Sequence, residues 1–198
     1  MFSGWRDELY PVTAAFDSPP ALLLERAAAP FFGIRAYGVH VNGYVVAADG
    51  SKELLDNQLL TCERSKASAN VARMLDIRTG SAVISVNRLL VFSGKPLILD
   101  RIVLPAAPFK GVTADKINAF NGSMYRMYET QLGIRMVRAE ERLTAVGADA
   151  EVASILGLRL GTPLLSIERV SYTYGDKPME WRLGLCLTED HHYLNHLE

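Results

Sequence analysis

The sequence predicts an α+β fold in which two similar halves form an antiparallel sheet flanked by helices. Residues 69–89 align with residues 150–170 at an offset of 81, with eight of 21 positions identical, where average residue usage gives roughly one or two matches. A hairpin pattern of two apolar runs around a glycine-containing turn ends each copy. Two copies are too few for a solenoid, so we expect them to build one sheet around one pocket.

The first 50 residues differ in pattern from the rest and form a predicted N-terminal extension. Pro20 stands where the first residue of a helix often stands, and residues 21–29 predict a short helix. Pro30 ends that helix, because proline lacks the backbone N–H that the next turn requires.

A hairpin follows the predicted helix. Residues 34–41 and 44–47 predict two strands joined by Asn42-Gly43, a strong two-residue hairpin signal. Asp49-Gly50 is a turn sequence. We therefore expect a domain boundary there, with an extension over residues 1–50 and the main domain over residues 51–198.

The main domain begins with a strand and a capped helix. Residues 59–66 predict the strand, and Ser68 is a favourable N-cap for a helix over residues 69–75. The position aligned with Ser68 in the second copy is Asp149, which is also a preferred cap. Because the capping chemistry persists while the residue differs, the repeat predicts a shared structure.

Two equivalent hairpins are predicted after these helices. Residues 83–92 and 97–104 form the first, and residues 164–174 and 179–187 form the second. The loop of the second hairpin carries one additional residue. The offset between the copies therefore grows by one after this loop.

A helix and a strand lie between the copies. Residues 123–132 predict the helix, in which Tyr125 and Tyr128 share one face. Gly133 is a natural stop, since glycine adopts the left-handed conformation that ends helices. Residues 134–146 predict a long strand.

Composition excludes several classes of partner. The net charge of −1 creates no field that attracts DNA or an anionic membrane. Residues 1–20 contain charged residues and no apolar core, so we expect no signal peptide there. Residues 21–32 are interrupted by charges and a proline, so we expect that they do not span a bilayer.

The two cysteines, Cys62 and Cys186, have no metal or redox spacing. We therefore expect free thiols in the reducing cytoplasm.

Several short motifs resemble those of a known family and occur in the same order along the chain. Residues 149–170, DAEVASILGLRLGTPLLSIERV, followed by DKPMEW at 176–181, resemble the second half of a UTRA domain. This domain is the effector-binding module of GntR-type transcription regulators of the HutC subgroup. Four further motifs resemble the first half of the same domain: GSAV at 80–83, GKP at 94–96, GSMY at 122–125 and AEERLTA at 139–145.

The resemblance covers roughly residues 56–198 and implies a chorismate-lyase-like fold with a pocket for a small metabolite. It implies no catalysis, no cofactor and no metal, and it implies a homodimer. In such regulators a winged helix-turn-helix domain binds DNA. Residues 1–55 show no helix-turn-helix pattern, so we expect contact with DNA only through a missing or separate domain.

The N-terminal stretch resembles another family. GWRDELYPV at 4–12, ERAAAPFFGI at 25–34 and YGVHVNGY at 37–44 are similar to the region ahead of the catalytic domain in some Nudix hydrolases. The Nudix motif itself needs a glutamate-rich helix that holds Mg²⁺, and Glu140-Glu141 is the only acidic pair resembling it. We therefore expect no Nudix hydrolysis, and the chain resembles a fusion of two fragments.

Arg88 and Arg169 are aligned across the repeat and share strand parity with apolar residues. An arginine on an inward face must find an anion or reach water. Each is a candidate anchor for an effector carboxylate or phosphate; alternatively, each reaches solvent or pairs with Asp100 or Glu168. UTRA domains that read sugar phosphates often carry a second arginine two positions on, where this chain has Leu90.

Asp100 lies in an apolar run and needs a partner. The resemblance aligns it with an acidic effector-contacting position, and a structural pair with Arg88 or Arg101 is the alternative. The aligned position in the second copy is Arg182, so the exchange of charge makes the predicted pocket asymmetric. Glu180 and Tyr172 are further candidates, with packing on the strand surface as the alternative.

Ser123 begins the middle helix, where free N–H groups favour anions. It is a candidate effector contact, and a plain N-cap is the alternative. His192 and His196 have helical metal-pair spacing, although a strand there would break that geometry.

No motif for nucleophilic catalysis, nucleotide binding or dinucleotide binding is present. The competing hypothesis is an enzyme, either with chorismate-lyase-like chemistry or as a vestigial Nudix hydrolase.

Overall fold

The computed structural model describes most of the chain beyond residue 55 and four short strands before it. The described residues are 9–12, 22–25, 44–46, 52–54, 56–120 and 123–189. The chain divides into two compact units, Met1–His40 and Val41–Glu198. The predicted boundary after residue 50 stays a prediction.

The first unit contains an antiparallel pair of strands, β1 (Leu9–Val12) and β2 (Leu22–Glu25). The helix predicted over residues 21–29 is therefore wrong within Leu22–Glu25. A helix of nine residues gains little from its own hydrogen bonds, whereas strand pairing supplies partners from another segment. The tertiary pairing overrides the local preference for helix.

A second strand pair opens the other unit. Strand β3 (Tyr44–Val46) pairs antiparallel with β4 (Lys52–Leu54). The strand predicted over residues 44–47 is confirmed for Tyr44–Val46, and its described partner follows it in the chain. The predicted strand over residues 34–41 and its turn lie outside the described residues.

The main sheet has six antiparallel strands in the order β5-β6-β7-β10-β9-β8. The six strands are β5 (Asp56–Lys66), β6 (Ala82–Phe92), β7 (Lys95–Pro105), β8 (Arg138–Gly147), β9 (Pro163–Thr173) and β10 (Lys177–Cys186). The order reads the same from either edge when each strand is replaced by its repeat equivalent. The predicted α+β sheet with helices is confirmed, and the two copies meet at its centre.

The register at this centre defines an approximate two-fold axis. Arg101 of β7 pairs with Leu183 of β10, and these positions are equivalent at an offset of 82. The connection in the first hairpin is Ser93-Gly94, whereas Tyr174–Asp176 forms a 3₁₀ turn in the second. The additional loop residue predicted from the sequence is therefore confirmed.

In the part of the chain that the structure describes, four short helices flank the sheet: α1 (Ala69–Met74), α2 (Ala114–Ala119), α3 (Met124–Leu132) and α4 (Ala150–Leu156). The predicted caps are confirmed: Ser68 accepts from Val71 N–H and Asp149 accepts from Val152 N–H. The sequence did not predict α2. Strand β8 begins at Arg138, four residues later than predicted.

Each face of the sheet has its own apolar core. Helices α2 and α3 cover one face, here called the α3 face, where Tyr128 and Phe109 are fully buried against Ile102. Helices α1 and α4 pack on the opposite face, against Val83 and Leu99 respectively. Within the described residues, no helix is long and apolar enough to cross a membrane.

Replacing Asp149 by Ala should lower the free energy of unfolding by about 1 kcal/mol, because the Val152 N–H at the start of α4 loses its acceptor. Urea unfolding followed by circular dichroism measures the change. Asp149→Asn keeps the acceptor and should stay close to the parent chain. An unchanged midpoint in Asp149→Ala would contradict the capping role.

Candidate functional site

Polar side chains form a connected group beneath α3 on the α3 face. We call this group the polar network. Its members are Arg88, Asp100, Tyr125, Tyr128, Glu141, Arg169, Ser171, Glu180 and Arg182. Strands β6 to β10 supply the charges, and α3 supplies the two tyrosines.

The pair of Arg88 and Asp100 is the most deeply buried part that β6 and β7 contribute. The two residues face each other directly across the strands. Asp100 Oδ2 accepts from Arg88 Nε at 2.8 Å and lies 2.7 Å from a second guanidinium nitrogen. Their side chains are 8% and 4% exposed, so each charge depends on the other for compensation.

Glu180 is the centre of the network and is fully buried. Its two oxygens accept from Arg182 Nε and Nη2, both at 3.0 Å. They also accept from the hydroxyls of Tyr125 at 2.8 Å and Tyr128 at 3.1 Å. Arg182 extends the chain of contacts to Asp100, with Nη1 3.5 Å from Oδ2. The carboxylate thereby joins α3 to the middle of the sheet.

Arg169 forms the outer end of the network. Its Nε donates to Glu141 Oε1 at 2.6 Å, and its Nη2 contacts the same oxygen. The Tyr125 hydroxyl lies 2.8 Å from Ser171 Oγ and 3.5 Å from Arg169 Nη1. The Arg169 and Glu141 side chains are 20% and 18% exposed, so this is the most accessible ion pair of the network.

Burial and charge hold the tyrosines neutral and the arginine charged. Desolvation, and then the Glu180 carboxylate, raise the pKa of both Tyr125 and Tyr128. Desolvation alone would lower the pKa of Arg182, but Asp100 and Glu180 raise it well above its ordinary value. Both hydroxyls therefore remain donors at neutral pH, and Arg182 remains a cation.

The network contains three guanidinium groups and three carboxylates, so its formal charges balance. Among the described residues, a shallow depression lies instead on the opposite face of the sheet, between Glu140, Arg142, Glu168 and Val170. Its volume of ≈ 20 Å³ has room for about one water molecule. An effector anion at the network would have to enter between groups that already contact one another.

Comparison with known proteins agrees with this architecture. The UTRA domain family matches residues 53–192. The chain belongs to the UTRA family. A ligand-binding domain assigned to a GntR-family transcriptional regulator from Bordetella bronchiseptica has 42% sequence identity and a TM-score of 0.71, over 73% of this chain and 92% of that one. The HTH-type transcriptional regulator Rv0792c of Mycobacterium tuberculosis is 35% identical over 101 residues, 50% of this chain and 37% of the regulator.

The region ahead of the UTRA domain has different relatives. A domain of unknown function (DUF4743) matches residues 1–36. The chloroplastic Nudix hydrolase 20 of Arabidopsis thaliana is 61% identical over 54 residues, 27% of this chain and 14% of the hydrolase. The chain thus spans well under half the length of either curated relative, and the resemblance to the N-terminal region of Nudix hydrolases is confirmed.

Four of the six residues that the sequence singled out meet in this UTRA domain: Arg88, Asp100, Arg169 and Glu180. Ser123 caps α3, accepting from Arg126 N–H at 3.2 Å, one turn from the network.

Tyr172 lies on the opposite face, where its hydroxyl donates to Glu140 and its ring stacks on Arg138. The structure therefore does not bring Tyr172 to the other candidates. The histidine pair at 192 and 196 lies outside the described residues.

Sequence reasoning missed several members of the network. The sequence indicated core or dimer contacts for Tyr125 and Tyr128, and Glu141 was considered only as part of the acidic pair Glu140-Glu141. Arg182 was expected in the pocket as the counterpart of Asp100, and strand parity also places it on the face of Glu180, because it lies two positions later. No sequence signal identifies Glu141, since only the pairing of β8 with β9 places it opposite Arg169.

Glu180→Gln should lower the free energy of unfolding by about 3–5 kcal/mol, because it leaves Arg182 without its bidentate carboxylate partner. Glu151→Gln, at an exposed residue of α4, is the matched control and should change the free energy by less than about 0.5 kcal/mol. Chemical denaturation measures both. Equal effects of the two substitutions would show that the network does not compensate buried charge.

Stability should fall at alkaline pH through Cys186. Burial and then Asp100 raise the pKa of this thiol from 9.0 to about 12, so the unfolded chain loses the proton first as pH rises above 9. The group then removes up to about 1.4 kcal/mol per pH unit from the free energy of unfolding. Cys186→Ala should flatten this slope in urea titrations between pH 9 and 11 under reducing conditions. Parallel slopes would contradict the assignment.

Proposed function

We propose that this UTRA domain binds a small-molecule effector and so regulates a GntR-type transcription factor without catalysing a reaction. The Bordetella domain, which has 42% sequence identity to this chain, is described as ligand-binding. The Mycobacterium relative is a transcriptional regulator. Both similarities support this reading for residues 53–192.

The buried polar network is the observation that carries the proposal. Buried ion pairs add little to stability, because desolvation offsets their attraction. An apolar core would therefore hold α3 on the sheet at least as well. Groups whose pKa values are shifted by burial and by specific charges cluster at functional sites, and Tyr125, Tyr128 and Arg182 are three such groups in direct or shared contact.

The proposed effector contacts are Arg88, Asp100, Arg169 and Glu180, with Ser123 at the start of α3. A guanidinium offers two parallel donors to a carboxylate, and the hydroxyls of the tyrosines offer further donors. Because every cation already has a carboxylate partner, an effector acts by exchanging with one of these partners. Such an exchange shifts the position of α3, which Tyr125 and Tyr128 connect to Glu180.

Regulation then follows as a shift of populations. An effector changes the equilibrium between two arrangements only by its difference in affinity for them. We propose that the domain works in the cytoplasm as a homodimer, and that the favoured arrangement changes the affinity of a winged-helix domain for DNA. No cofactor or metal takes part in this mechanism.

A broad thermal-shift screen of organic acids, amino-acid catabolites and sugar phosphates should contain a compound that raises the melting temperature. A ligand at a hundred times its Kd adds about 2.7 kcal/mol, or about 5–10 °C for a chain of this size. Arg169→Met should abolish the shift, while Arg78→Met, at an exposed position, should preserve it. An equal shift in both variants, or no shift with any compound, would contradict the proposal.

A further inference from the structure

A glycine interrupts the α3 face where the polar network ends. Gly184 of β10 pairs with Ile167 on one side and with Asp100 on the other. Cross-strand partners point to the same face of a sheet. Ile167, Gly184 and Asp100 therefore form one row across the sheet. In this row a position without a side chain lies between an apolar side chain and a carboxylate.

Gly184 is buried, and the space above it admits one additional methyl group. A Cβ atom added there would have its nearest neighbours at 3.9 Å, namely Cys186 Sγ, the Ile167 carbonyl oxygen and Ile98 Cγ2. These are ordinary van der Waals distances. A methyl group therefore fits above Gly184 without displacing its neighbours.

Two arginines adjoin this gap on one side. Arg169 and Arg182 are direct cross-strand partners, one position along from the pair of Ile167 and Gly184 on the same face. Like charges placed directly opposite each other destabilise a sheet. Glu141 and Glu180 compensate these two cations, so an anion that bridges the guanidinium groups takes the place of one of these carboxylates. Arg169 is the most exposed of the three arginines in the network.

Apolar side chains adjoin the gap on the other side. On that side Cys186 pairs with Leu165 and with Ile98. Leu143 pairs with Ile167 in the row of Gly184 itself. Leu143 is 46% exposed, which is high for a leucine on the inner face of a sheet. The gap thus has two cations along one edge and aliphatic side chains along the other.

We propose that the effector is a monocarboxylate with an apolar body. Its carboxylate bridges Arg169 and Arg182, and its body lies over Gly184 against Ile98 and Ile167. This inference rests on the proposed function and assigns the chemical class of the ligand to that same site. Gly184 is the position that determines specificity, because any side chain there would occupy the space of the ligand's body.

The charge balance of the network favours a single negative charge over two. Three cations already face three carboxylates, so a phosphate dianion would add two uncompensated charges in a buried place. Leu90 lies beside Ile98 on the same face. It adds apolar surface to the row of Ile98 and Cys186.

Isothermal titration calorimetry on the full chain with four probes separates charge from body. The probes are phenylacetate, phenylacetamide without the charge, acetate without the body, and glucosamine 6-phosphate as a phosphorylated sugar. We expect phenylacetate to bind at least tenfold more tightly than each of the other three. Tighter binding of the sugar phosphate, of the amide or of acetate would overturn the inference.

Gly184→Ala tests the floor of the site, because the added methyl group fits the fold and occupies the ligand's space. It should weaken phenylacetate binding about tenfold with an unchanged melting temperature of the free protein. Gly147→Ala is the matched control, a strand glycine whose added Cβ would also meet ordinary contacts, at 3.5 Å. Equal affinities of the two variants would overturn the role of Gly184.

Failure of this inference is distinguishable from failure of the proposed function. If the broad screen finds a ligand outside the monocarboxylates, and Arg169→Met abolishes its binding, effector sensing stands and the monocarboxylate assignment falls. If neither the four probes nor the screen raise the melting temperature, both fall.

Discussion

Compensation of buried charge at the junction of the two halves is the constraint on which the rest of the structure depends. Glu180 is fully buried and accepts from two tyrosines of α3 and from Arg182. A carboxylate in that position requires each of these donors. The contacts therefore tie the position of α3 to the central strands, and any ligand that enters the network must move the helix or replace a partner.

The approximate two-fold symmetry explains where this network forms and why its charges differ between the two halves. Arg88 and Arg169 are equivalent, but their cross-strand partners are Asp100 and Arg182, which carry opposite charges. In the first half the arginine finds its anion directly across the strands. In the second half it faces another cation, and the compensating carboxylates come from Glu180 and from Glu141 on the edge strand. The repeated halves form the symmetric sheet, and the exchange of Asp100 for Arg182 at equivalent positions makes the site asymmetric.

Local signals predicted the elements of the UTRA domain well, and the reason is visible in its caps and turns. Ser68, Ser123 and Asp149 each accept the hydrogen bond expected of an N-cap, because this chemistry depends on neighbours three residues apart. The helix expected over residues 21–29 was wrong within Leu22–Glu25, since β2 is held by its pairing with β1. The six-residue α2 was not predicted, because so short a helix depends mainly on packing.

The sequence by itself determined the repeat, the fold class, the family and four of the charged residues that meet beneath α3, because each depends on pattern or on local chemistry. Only the tertiary structure decided which cation faces which carboxylate, that Tyr172 lies on the opposite face, and that Glu141 and the two tyrosines belong to the network. The hydrogen bonds that Glu141 makes with Arg169, that the two tyrosines of α3 make with Glu180 and that Tyr172 makes with Glu140 join residues 28 to 55 positions apart. Strand register and helix packing place them together, and neither is encoded in the spacing of the residues concerned.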